Sequence, residues 1–106
     1  MGPLQKIVSI CRSSPERNLD GVITLTLLLT EEGQRWVGEC LELGTAAYGH
    51  SLEEVHEQLI EAVLLQLNEM ERMGFIEDYL REHNVRLQPL TEPTGKDRWS
   101  LVGSAS

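Results

Sequence analysis

Leu41-Glu42-Leu43-Gly44-Thr45-Ala46-Ala47-Tyr48-Gly49-His50-Ser51-Leu52-Glu53-Glu54-Val55 joins the two halves of this chain and sets their order. Leu41 closes an apolar segment, Gly44 marks a turn, Thr45 to Tyr48 has the length of a short strand, and Gly49 opens a second turn. Ser51 and Glu54 have capping-box spacing: the serine oxygen accepts from the amide of Glu54 while that carboxylate reaches back. Leu52 and Val55 begin an apolar helical stripe at once. Strands therefore come first and a helix follows, which predicts an α+β fold.

Upstream of the joint, residues 22–29 alternate as a strand, with Ile23, Leu25, Leu27 and Leu29 on one face and Thr24 and Thr26 on the other. Gly33, in Thr30-Glu31-Glu32-Gly33-Gln34, marks a hairpin loop, so residues 35–41 form an antiparallel partner strand. Residues 4–10 suit a short strand, and the following Cys11-Arg12-Ser13-Ser14-Pro15 has loop composition.

Downstream, Leu52, Val55, Leu59, Ala62, Val63, Leu67, Met70 and Met73 gather on one side of a helix over residues 52–73, with Gly74 as its C′ glycine. Leu64 and Leu65 fall off that stripe, which predicts cover by a second helix or by another subunit; they are the candidate oligomer or partner contacts. A second helix is expected over residues 76–83 and a final strand over residues 85–87. The order is thus β-β-β-α-(α)-β, a small antiparallel sheet with helices on one face. Residues 1–20 are expected as an N-terminal extension, 21–88 as the domain proper, and 89–106 as a tail docked through Trp99.

A chain of 106 residues with 41% hydrophobic content suits one globular domain. No apolar run approaches the roughly 20 residues that span a bilayer. The N-terminus lacks signal-peptide character, so a cytoplasmic location is the default expectation. The net charge of −8 and the absence of a Lys/Arg cluster disfavour direct binding of nucleic acid, and suit a basic protein partner. Cys11 and Cys40 form no C-x-x-C pair, and the balance favours reduced thiols over a disulfide between them.

Glu53-x-x-His56 has the spacing of half a di-iron carboxylate site, but no second copy exists, so a helix flank with a surface histidine is the expectation. His50 and His83 are accounted for by turn formation and by a helix C-terminus. Glu31, Glu32, Glu39 and Glu42 could serve a metal-dependent hydrolase, yet Glu39 and Glu42 differ in strand parity and solvated strand edges account for all four. No catalytic, cofactor-binding or metal-ligating residue is assigned, and the expectation is no enzyme and no cofactor.

The segment Trp36-Val37-Gly38-Glu39-Cys40-Leu41-Glu42-Leu43-Gly44, continuing through Tyr48-Gly49-His50-Ser51-Leu52-Glu53-Glu54-Val55, resembles the HicB-like antitoxin family. That family shows an aromatic-start strand, a Leu-Gly turn, then Gly-x-Ser/Thr-x-x-Glu opening a long helix. Glu61-Ala62 matches its recurring Glu-Ala pair. The resemblance covers residues 22–87 and departs from the family just before the Leu-Gly turn, where Leu41 or Glu42 occupies the place of a usual proline, and at Val55, where an alanine is usual. It implies a partial ribonuclease-H-like arrangement without catalytic carboxylates, homo-oligomers (dimer or higher), and neutralisation of a small basic RNA-cleaving toxin. The residues after 88 are too few for the DNA-binding module of full antitoxins, so a solo HicB-like domain is expected. The rival expectation is an orphan structural or regulatory oligomer without a toxin partner.

Overall fold

The computed structural model describes residues 3–12, 21–88 and 99–102. Four strands run first: β1 (Leu4–Arg12), β2 (Gly21–Glu32), β3 (Arg35–Cys40) and β4 (Thr45–Gly49). Two helices follow, α1 (Leu52–Arg72) and α2 (Ile76–Glu82), and a two-residue strand β5 (Ser100–Leu101) comes last. All strand pairs are antiparallel, in the spatial order β4-β3-β2-β1-β5. The molecule is therefore α+β, with strands preceding helices.

The period-two pattern decides which face is covered. Ile23, Leu25, Leu27 and Leu29 of β2 are buried, and the register places Val8, Ile10 and Cys40 on the same side. Val55, Leu59, Val63 and Leu67 of α1 close that side into one core. Gly38 allows the close approach. A Cβ there would stand 3.0–3.1 Å from side-chain atoms of Leu29, Leu59 and Val55. At Gly49 a Cβ would meet the Val55 backbone nitrogen at 2.7 Å, so the strand-to-helix turn has no room for a side chain.

Local chemistry sets the helix boundaries. Ser51 Oγ accepts from the Glu54 amide at 3.1 Å, and Glu54 Oε1 accepts from the His50 amide at 3.0 Å. At the far end Gly74 takes φ +86, with Gly74 N–H bonded to Glu71 O and Phe75 N–H to Met70 O, a Schellman closure. Asn84 closes α2 the same way at φ +56, through Asn84 N–H to Arg81 O and Val85 N–H to Leu80 O.

Three expectations need revision. β1 runs on to Arg12, because Cys11 and Arg12 pair with Val22 and Gly21 where loop composition suggested a turn. Residues 85–87 form no strand; only Gln88 bridges Val22, at 2.7 and 2.9 Å. The last strand is β5, from the segment read as a tail, and it pairs with Ile10 and Cys11. Trp99 beside it is 1% exposed and donates its amide to Asn68 Oδ1 at 3.0 Å.

Candidate functional site

The residues with reactive side chains serve the architecture. His83 Nδ1 lies 2.9 Å from Glu42 O, and its ring stacks on Tyr79 with centroids 4.1 Å apart. Tyr79 OH donates to Leu43 O at 3.1 Å and receives from Gln66 Nε2 at 3.2 Å, while Gln66 Oε1 bonds Thr45 Oγ1. These contacts clamp the turn before β4 onto both helices. Glu42, expected to be solvated, accepts from the Thr26 amide at 2.7 Å and from Thr26 Oγ1 at 2.9 Å. It satisfies β2 where β3 has ended, and is not available as half of a carboxylate pair.

Both cysteines are buried and free. Cys40 shares the helix-facing side with Leu27, whereas Cys11 pairs with Val22, whose parity is opposite, so the two thiols lie on opposite faces of the sheet. Burial pushes the Cys40 thiol up, which keeps it protonated and unreactive. Among the described residues no group of three or more His, Cys, Asp or Glu side chains is placed to hold a metal ion, and no helix is long and apolar enough to cross a membrane.

Two surface regions remain. The first is the sheet face turned away from α1. Ile7 is 57% exposed there and Tyr48 58%, with Leu41 also exposed and Leu28 and Val37 half-buried. Arg35 lies over the Tyr48 ring, its guanidinium carbon 4.9 Å from the centroid. A solvated antiparallel face ordinarily alternates to polar residues, and this one does so in part, through Gln5, Ser9, Thr24, Thr26, Thr30 and Glu39.

The second is a trough between β1 and α1. Leu4, Lys6, Leu52 and His56 line its upper part, and Ile60, Leu64 and Leu101 its lower part, with His56 and Glu57 common to both. His56 is half-buried and not a surface residue: its Nε2 is enclosed without a hydrogen-bond partner. Desolvation, then the nearby Lys6 ammonium, hold its pKa below the ordinary imidazole value, against the opposing pull of Glu57. Leu64 thus faces the chain's own β5 residue Leu101. Leu65 is 68% exposed and neither helix covers it. The spacing of α1 had put these two leucines off its core stripe, whereas nothing in the sequence alone placed Leu101 beside Leu64.

No protein-family model, no curated protein and no solved structure matches this chain.

Proposed function

We propose that this chain is a non-enzymatic protein-binding module of the antitoxin type, which neutralises a small basic RNA-cleaving protein by covering it. The observation that carries this reading is the exposure of three apolar side chains on the side of the sheet turned away from α1, Ile7, Tyr48 and the adjoining Leu41, on a molecule of net charge −8. Acidic charge speeds encounter with a basic protein and disfavours other partners. Burial of exposed aromatic and aliphatic side chains then holds the complex. The resemblance of residues 36–55 to HicB-like antitoxins points to the same activity.

The test is an RNA-cleavage assay with the small basic protein encoded beside this chain's gene. Stoichiometric inhibition is expected, and Leu41→Lys with Tyr48→Lys should relieve it while the protein stays folded. Undiminished cleavage at saturating amounts of this chain, or the lack of such a neighbouring gene, rules the reading out.

A second reading, an orphan structural or regulatory oligomer, draws on the exposure of Leu65. Sedimentation equilibrium separates the two. A dimer or larger assembly that Leu65→Glu dissociates, with no toxin partner, favours the oligomer.

A further inference from the structure

Residues 4–8 of β1 have β2 on one side and, among the described residues, no strand on the other, since β5 reaches only Ile10 and Cys11. The direction of the backbone groups follows from one hydrogen bond. Val102 N–H donates to Ser9 O at 2.9 Å, so the Ser9 carbonyl points outward. By the strand's period of two, the amide and carbonyl of Ile7 and of Gln5 point the same way. An outward row of unpaired donors and acceptors is a template for another strand.

This edge borders the trough. A strand laid beside it would send every second side chain toward α1, onto a floor of Leu4, Leu52, Ile60, Leu64 and Leu101. The wall above that floor is acidic: Glu53, Glu57 and Glu61 stand one helical turn apart on α1, against Lys6, the single Lys or Arg among the described lining residues. Charge decides between occupants. Antiparallel pairing of two copies through this edge would bring two such acidic walls together across the two-fold axis, which repels. A basic segment is attracted instead.

We propose that the open edge of β1 takes an extended, basic segment of a protein partner as an additional strand, with alternate side chains seated in the trough beside α1. This rests on the reading of the chain as a binder of basic protein, and it adds the place and the mode of recognition. Main-chain hydrogen bonds to Gln5 and Ile7 supply affinity independent of sequence. The trough selects residues with an apolar stem and a cationic end.

The probe is a heptapeptide alternating lysine and valine, followed by amide chemical shifts of the full chain. In the isolated protein the amides of Gln5 and Ile7 should exchange quickly; protection there equal to that of Val8, which bonds inward, would show the edge already occupied and overturn the proposal. On titration, shifts should centre on residues 5–8 and on the α1 residues of the trough. Binding should weaken roughly tenfold or more with Ile7→Pro, which removes an outward amide and leaves the β1–β2 ladder intact. Glu53→Lys with Glu57→Lys should weaken it at least as much. Backbone N-methylation of the peptide repeats the Ile7→Pro test should that variant fail to fold.

The proposal is overturned if the peptide does not bind, if a glutamate–valine peptide binds equally well, or if the shifts centre on Val37 and Tyr48. A dimer of this chain that Ile7→Pro dissociates also overturns it, in favour of a second copy. The outcomes separate from those of the functional reading. A basic protein whose binding ignores Glu53→Lys with Glu57→Lys, but not Leu41→Lys with Tyr48→Lys, leaves that reading standing and removes this one. A peptide seated at the β1 edge without any inhibition of RNA cleavage does the reverse.

Discussion

At the scale of the residue, a guanidinium held at 1% exposure needs a counter-ion, and Arg12 finds one in Glu71. Arg12 Nε donates to both carboxylate oxygens, at 2.7 and 2.9 Å, and a terminal nitrogen adds a third bond. Removing Arg12 takes its guanidinium out of this buried polar contact and costs Glu71 three hydrogen bonds. Arg12→Met should therefore cost about 3 kcal/mol in urea unfolding. The pairing was invisible in the sequence because its members are 59 positions apart and Arg12 sits in a stretch of loop composition. His56 makes a pH prediction. Its folded pKa lies below the ordinary imidazole value, so the unfolded chain takes up the proton first. Its contribution is fully present above about pH 6.5 and is lost as the pH falls below that value. Urea midpoints should drop between pH 7.5 and pH 5.5, and His56→Gln should flatten that component. Lys6 and Glu57 are the charged groups that act on the ring.

At the scale of the element, the joint between sheet and helix was legible because its rules are local. A cap residue, a glutamate three positions later and a terminal glycine act within a few residues of chain, so Ser51, Glu54 and Gly74 could be placed without tertiary knowledge. Gly38 and Gly49 were not legible in that way. Each is small because α1 crosses close above it, and only the assembled layers create that demand. Gly49→Ala should cost about 2 kcal/mol or more in thermal or urea unfolding, since the obstructing atom is helix backbone and cannot rotate aside. Residues 85–87 illustrate the opposite failure. A three-residue apolar alternation resembles a strand, but here Val85 closes the Schellman turn of α2 and only Gln88 reaches β2.

At the scale of the whole molecule, the sheet and its covered face followed from strand periodicity, and the closing strand did not. Ser100–Leu101 is too short to carry a pattern, and Trp99 lies in a region of low hydrophobicity; only the space left beside Ile10 and α1 gives them a place. Trp99→Ala should cost about 3–5 kcal/mol, measured by chemical denaturation with the remaining Trp36 as fluorophore. The candidate surfaces were half legible in the same sense. Acidic charge and off-stripe leucines could be counted from the sequence, whereas a β1 edge without a neighbouring strand among the described residues is evident only once β5 is seen to stop opposite Ile10. The position of Trp99 also bears on biosynthesis. A core side chain that arrives near residue 100 leaves the seam between β1 and α1 unsealed while the ribosome works through everything before it. Nascent chains that have not yet exposed residues 99–101 lack the side chain that seals this seam, and stay open to proteases and chaperones until that segment emerges.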